Sequence, residues 1–363
     1  MPMMSIRTAA SILVLSLLVL PGCGSSGPET IDEFIDETAP SGSRGVVAVA
    51  DGESLVHCDG WGTPDGNLGT ALDCDTVVDV MSMTKQFTAA AILKLQMLGM
   101  LEVSDSIGDY LGPVPDDKHA ITIEHLLTHT SGFVDQLGHD YDPMVRDELV
   151  SAAMASTLGA EPGSVYAYSN LGYSLLAAIV EIASGTDFED FLRWHLFMPA
   201  GMSSTGYRLP DWDKLEVAVE YDRHGRSQGT PLDHEWADDG PWWNLRGNGG
   251  LLSTAEDMYR WHLALRGDGI LGPTAKSALF KPRVREEPHE THYGFGWVIT
   301  DFDGRPSAWH NGGNTRSYGE LLRTIDGEAM VFWVATQAVS DEGQWDMGEL
   351  GAGLTDGILS RLP

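Results

Sequence analysis

Residues 82–98 read Ser82-Met83-Thr84-Lys85-Gln86-Phe87-Thr88-Ala89-Ala90-Ala91-Ile92-Leu93-Lys94-Leu95-Gln96-Met97-Leu98. The run from Phe87 to Leu98 is rich in helix formers and stops at Gly99, a residue suited to a C-cap. Ser82 and Lys85 then stand one turn apart on the same face of the helix start. An amine so placed can take the hydroxyl proton, provided burial or nearby positive potential lowers its pKa. The helix N-terminus adds N–H donors and a positive dipole end for a developing oxyanion. The plainer alternative is that Ser82 merely caps the helix.

On either side of this helix, three Asp-Gly pairs between apolar runs predict hairpins. Val46 to Ala50 and Leu55 to His57 flank Asp51-Gly52. Trp297 to Phe302 and Pro306 to His310 flank Asp303-Gly304, and Leu321 to Ile325 and Met330 to Val334 flank Asp326-Gly327. One hairpin is near the N-terminus and two are near the C-terminus, so both chain ends are expected to build one antiparallel sheet. Tyr173 to Ile182 and Phe188 to Leu196 suit helices in the middle. Ile31-Phe34-Ile35 and Leu350-Leu354-Ile358 have helical spacing and suit helices on the sheet. The predicted class is α/β (α+β), with an α/β part over about 30–80 and 285–363 and a helical part over about 81–284. A cleft between the two parts is the natural place for a ligand.

Two more clusters carry chemistry. Tyr168-Ser169-Asn170 follows the turn signal Glu161-Pro162-Gly163-Ser164. A phenol there can relay protons, and the Asn170 carboxamide can donate to a substrate carbonyl and accept from Lys85. His310-Asn311-Gly312-Gly313 ends a predicted strand. Its glycines permit close approach of a substrate, and the Gly313 N–H can complete an oxyanion hole with that of Ser82. A rival His292-Tyr293-Gly294 reads better as part of the preceding strand, Tyr293 to Trp297. His125 and His129 share the four-residue spacing of metal ligands, but lack the Glu of a His-Glu-x-x-His frame, so no metal is expected. Trp236, Trp242 and Trp243 can line an apolar acyl pocket or serve as a packed cover.

Ser-Met-Thr-Lys, Tyr-Ser-Asn and His-Asn-Gly, in that order and at wide spacing, resemble the three signature motifs of serine β-lactamases and penicillin-binding proteins. Residues 121–132 and Gly247-Asn248-Gly249-Gly250-Leu251-Leu252-Ser253-Thr254 are similar to the class C branch and its hydrolase relatives. The resemblance spans about residues 30 to 360 and implies a β-lactamase/transpeptidase-like fold. It further implies that Ser82 is acylated, that Lys85 and Tyr168 move protons, and that Asn170 orients the substrate amide or ester. His310 and Gly312 would then face the carboxylate side or leaving group.

One departure bears on substrate. True β-lactamases of this branch carry Lys-Thr-Gly as third motif, where this chain has His310. Histidine is mostly neutral at pH 7, so the anchor for a β-lactam carboxylate is expected to be weaker. Histidine at this place resembles some D-alanyl-D-alanine carboxypeptidases and D-amino-acid peptidases, and Ser-Met-Thr-Lys resembles esterases of the same fold. The expected activity is peptidase or carboxypeptidase-type hydrolysis through a Ser82 acyl-enzyme, without cofactor. The alternatives are a carboxylesterase, a weak β-lactamase, or a penicillin-binding sensor without turnover.

The chain has 363 residues, 42% of them apolar and 21% charged, with a formal charge of −31. So acidic a chain argues against nucleic-acid partners, and the family resemblance implies a small molecule or peptide as substrate. Arg7 and the apolar run Ala9 to Leu20 read as a secretory signal over residues 1–22. Leu20-Pro21-Gly22-Cys23 resembles the bacterial lipobox, which implies lipidation at Cys23, a tether over 23–29 and anchoring to the membrane of the bacterial envelope. The remaining cysteines, Cys58 and Cys74, can pair or stay free.

Overall fold

The computed structural model describes residues 30–62, 71–340 and 344–362. The expected signal peptide, the lipidation site Cys23 and the tether to residue 29 lie outside these described residues. Ten strands occur among them. They are β1 (Gly45–Asp51), β2 (Ser54–Trp61), β3 (Val78–Asp79), β4 (Leu252–Ser253), β5 (Val284–Arg285), β6 (His292–Tyr293), β7 (Val298–Phe302), β8 (Arg305–Gly313), β9 (Tyr318–Thr324) and β10 (Ala329–Ala335). Eight form one antiparallel sheet in the order β2-β1-β10-β9-β8-β7-β6-β5, while β3 and β4 make a separate ladder. The chain ends meet where β1 pairs with β10, in a register that sets Val46 opposite Val334 and Ala50 opposite Met330.

All three expected hairpins form. At the second, Asp303 (φ 50°) and Gly304 (φ 77°) are both left-handed, the backbone of a type I′ turn. β1 is buried on both faces. Val46, Ala48 and Ala50 enter the large core, and Val47 and Val49 a smaller one. The period of two along a pleated strand produces this division. On the smaller side, Ile35 of the helix Ile31–Thr38 and Leu354 and Ile358 of the helix Met347–Leu359 cover the sheet. Each such aliphatic side chain, fully buried, contributes about 1.5–3 kcal/mol.

The large core lies between the opposite sheet face and the helical middle of the chain. At its centre is the helix Lys85–Met97, in which every residue from Lys85 to Leu93 is buried. A helix buried all round is held from every side. It begins two residues earlier than its composition predicts and is preceded by a 3₁₀ turn, Met81–Thr84. The helix from Asn170 to Ser184 packs beside it. The expected helix over 188–196 is α-helical only for Phe188–Leu192, then widens into a π-type turn over Arg193–Phe197. Pro199, which follows, has no N–H to continue a regular ladder.

The stretch Tyr293 to Trp297 departs from its expected strand form. Only His292–Tyr293 ladder with their neighbours, and the strand resumes at Val298. In between, Gly296 passes so close to the Lys85 carbonyl that a Cβ there would lie 2.6 Å from the oxygen. Packing against the central helix has replaced sheet pairing in this stretch. Cys58 and Cys74 are joined as a disulfide, with Cα atoms 5.3 Å apart.

Candidate active site

Ser82 sits in the 3₁₀ turn leading into the central helix, whose N-cap residue is Thr84 rather than Ser82. The residue before it, Met81, is left-handed at φ 48°, which is costly for a side chain of this size. Two contacts hold it there. Asp79 Oδ1 accepts from the Met81 N–H at 2.6 Å, and Gly312 of β8 packs directly against it. A Cβ on Gly312 would lie 2.7 Å from the Met81 Cβ and 3.0 Å from the Ser82 nitrogen, so only glycine allows β8 this close.

Lys85 is fully buried one turn on. Its Nζ donates to Ser82 Oγ at 3.1 Å, to Asn170 Oδ1 at 2.7 Å and to the Asn248 carbonyl at 2.7 Å. Burial draws its pKa down to about 7, against the opposing pull of Asp135 and Asp140. The same ammonium lies 4.8 Å from the centre of the Tyr168 ring. The Tyr168 hydroxyl is hydrogen-bonded to Ser82, and burial pushes it above the ordinary phenol range.

Asn170 opens its helix immediately after the N-cap Ser169, whose hydroxyl accepts from the Gly172 N–H at 3.0 Å. Its amide orientation is fixed from both sides. Oδ1 faces Lys85, and Nδ2 donates to Asp135 Oδ1 at 3.0 Å. Behind these groups stands a stack of rings around the buried His129, with Tyr168 at 4.4 Å and Tyr293 at 4.5 Å between centroids. His129 Nδ1 accepts from the Ser169 N–H at 3.0 Å, and burial holds the ring well below its usual pKa.

A cavity of about 250 Å³ opens onto this constellation. Ser82, Asn170, Gly313, Asp79, Asp135 and Asp140 are among its walls, and no lysine or arginine is. The sequence placed Ser82, Lys85, Tyr168, Asn170 and Gly313 together, and they are together. His310 was expected to face the substrate. It is instead 2% exposed and absent from the cavity wall, with Gly312 beside it. Its Nδ1 lies 2.5 Å from the Asn311 carbonyl and its Nε2 3.1 Å from the Tyr293 hydroxyl. The carbonyl can only accept, so Nδ1 carries the proton and Nε2 accepts from Tyr293. Burial and the nearby Lys85 lower this histidine to about 3.

Trp236, Trp242 and Trp243 do not line the cavity. His125 serves a helix start, its Nδ1 accepting from the Thr122 N–H at 3.3 Å, and no metal-holding cluster occurs among the described residues. Sequence reasoning missed Asp135 and assigned no role to Asn248. The glycines around Asn248 were the available signal, since a backbone carbonyl reaches a buried lysine only where the chain can approach it closely.

The β-lactamase family model matches residues 31–347 of this chain. Penicillin-binding protein 4* of Bacillus subtilis (strain 168) is 30% identical, over 82% of this chain and 69% of its own length. The D-alanyl-D-alanine-carboxypeptidase/endopeptidase AmpH of Escherichia coli (strain K12) is 30% identical over 64% of this chain and 62% of its own. Among solved structures, a penicillin-binding protein from Bacillus halodurans superposes with a TM-score of 0.72 at 25% identity, covering 90% of this chain and 98% of that one. With its eight-stranded antiparallel sheet and its match from residue 31 to 347, the chain belongs to the β-lactamase family and is a serine hydrolase of the penicillin-binding-protein-like kind.

Proposed function

We propose that this enzyme cleaves amide bonds of peptide-like substrates through an acyl-enzyme on Ser82, with Lys85 as base. One observation carries the reading: a buried lysine, drawn down to about 7, is hydrogen-bonded to a serine hydroxyl at 3.1 Å. Near pH 7 about half of such a lysine is neutral and able to accept a proton. Tyr168 is the weaker candidate for base. Even an unperturbed phenol would cost about 4 kcal/mol to ionise at pH 7, at about 1.4 kcal/mol per pKa unit, and burial raises this one further.

In the proposed sequence Ser82 Oγ attacks the carbonyl carbon as its proton passes to Lys85 Nζ. The oxyanion forms beside the backbone N–H groups of Ser82 and Gly313. Collapse breaks the C–N bond, and the departing amine takes a proton handed on through Tyr168. Water then releases the acyl group. Asn170, held by Lys85 and Asp135, is proposed to orient the substrate amide with its remaining N–H. His310 is proposed as a positioning residue that braces Tyr293 and the end of β8 beneath Gly312.

The cavity wall favours one substrate class. It has the carboxyl groups of Asp135 and Asp140 and no lysine or arginine, while Asp79, raised to about 8 by burial and by Glu220, is largely uncharged at neutral pH, as is the third-motif histidine. A substrate carrying a free carboxylate near the scissile bond would meet no lysine or arginine in that wall, and Lys85 behind Ser82 is already engaged by Asn170 and the Asn248 carbonyl. Endopeptidase or amidase action is therefore preferred over carboxypeptidase or β-lactamase action. We also propose that residues 1–22 direct secretion and that Cys23 is lipidated. The Cys58–Cys74 disulfide fits an oxidising, extracytoplasmic compartment.

The test is hydrolysis of an N-acetyl tripeptide amide by Ser82→Ala, Lys85→Ala and Tyr168→Phe. The first two should fall to background and the third by about 10²–10⁴-fold. Undiminished turnover by Ser82→Ala would refute the assignment.

A further inference from the structure

A second cavity, of about 510 Å³, lies where the end of the helix Ala255–Arg266, the helix Pro273–Leu279 and the turn after β9 meet. It has no wall residue in common with the Ser82 cavity. Only 22 of the 363 residues are lysine or arginine, yet four of the nine wall residues are: Arg266, Lys276, Lys281 and Arg323. Asp326 is the one carboxylate among them.

Arg323 is the unusual member. It lies on β9 two residues after Leu321, on the sheet face of the large core, while Leu322 between them faces the terminal helices. Its side chain is 1% exposed. The guanidinium stands 5.1 Å from the centre of the Phe280 ring, and Nε, Nη1 and Nη2 have no hydrogen-bond acceptor among the described residues. Burial and the neighbouring Arg266 lower it to about 10 against the opposing pull of Asp326, so it remains a cation at neutral pH. Buried guanidinium groups are ordinarily paired, because five N–H donors and a full charge are costly to strand.

Asp326 attracts the guanidinium, but the neighbouring groups do not supply the missing hydrogen-bond acceptor. Asp326 is engaged by the Glu328 N–H at 3.1 Å and by Thr324. Arg266 donates to the Gly327 carbonyl and pairs with Glu328, while Lys276 pairs with Asp268 at 2.7 Å. Lys281 is exposed and has no ion pair among the described residues. The remainder of the wall includes Leu265, Phe280 and Ile325, which are apolar. The cavity thus joins a fork of unused donors to a greasy surface, at a volume typical of small-molecule sites.

We propose that this cavity binds a small organic oxyanion, with a phosphoryl or carboxylate head seated on Arg323 and an apolar body against Leu265 and Phe280. The planar fork of Arg323 suits two oxygens of such a head, and Lys281 at the rim adds attraction from outside.

Calorimetric titration of the intact enzyme with phenyl phosphate tests this, with phenol and inorganic phosphate as comparisons. Saturable 1:1 binding is expected, tighter than that of inorganic phosphate, with none for phenol. Arg323→Met should weaken it by about 10-fold or more, and the rim variant Lys281→Glu by about 3-fold or more, with hydrolysis at Ser82 unchanged in Lys281→Glu. Should Arg323→Met not fold, Lys281→Glu decides alone. Absence of saturable binding, or binding that Lys281→Glu leaves unaltered, overturns the proposal.

Discussion

The backbone carbonyl of Asn248 accepts a hydrogen bond from Lys85 Nζ at 2.7 Å, across 163 residues of sequence. A carbonyl is a fixed acceptor without charge. It can therefore aim the lysine while favouring the ammonium less than a carboxylate would. The loop carrying it is tied down by the Asn248 side chain, whose Nδ2 donates to Ser174 Oγ at 2.9 Å and to the Asn244 carbonyl at 2.8 Å.

Asn248→Ala should consequently harm the enzyme through the loop, since the side-chain amide of this cavity-wall residue is spent on Ser174 and Asn244. Two buried hydrogen bonds are lost at about 1 kcal/mol each, so urea unfolding should report a loss of about 2 kcal/mol. The freed loop no longer aims Lys85, and kcat should fall by about 10-fold or more. A stability loss with unchanged kcat would mean that the loop does not position the lysine.

The rate should rise with pH through a limb near 7 as Lys85 becomes neutral, and His310, lowered to about 3, should add no limb in this range. Asp140 raises the Lys85 pKa, so Asp140→Asn removes that pull and should move the limb to lower pH. The pH profile of kcat/KM for the two proteins checks this; an alkaline shift would contradict it.

Legibility differed between these parts for physical reasons. The hairpins at Asp51-Gly52, Asp303-Gly304 and Asp326-Gly327 were readable because a two-residue turn is a local property of the chain. Ser82 and Lys85 were readable because a single turn aligns them. The Asn248 carbonyl, Asp135 beneath Asn170 and the burial of His310 were not, since each depends on segments brought together only by the folded core. The left-handed Met81 belongs with these, because Asp79 and Gly312 impose it from outside its own turn.

Substrate charge gives a further prediction. A tripeptide amide should be cleaved with a kcat/KM at least about 10-fold above that of the same tripeptide with a free terminal carboxylate. Asp135 and Asp140 in the cavity wall, where no lysine or arginine stands, set the direction, since the pull of Lys85 behind Ser82 is common to both substrates. Preference for the free acid would return the enzyme to the carboxypeptidase reading.

Reduction of the Cys58–Cys74 disulfide, which closes a loop of sequence separation 16, should lower stability by about 3 kcal/mol. The bond lies outside the Ser82 cavity, so Cys58→Ser/Cys74→Ser should keep its kcat at moderate temperature while unfolding at a lower one. Thermal unfolding with and without reductant reads the first, and steady-state kinetics the second.

Covalent capture at Ser82 tests the account most directly. The soluble protein is incubated with a penicillin in excess, with samples quenched in acid over a time course, weighed intact by mass spectrometry and then mapped by peptide. Opening a lactam expels no leaving group, so acylation adds the whole penicillin mass. The account predicts a slowly formed adduct of that mass on the peptide containing Ser82, absent from Ser82→Ala. An adduct that persists in Ser82→Ala, or maps to another residue, would contradict it.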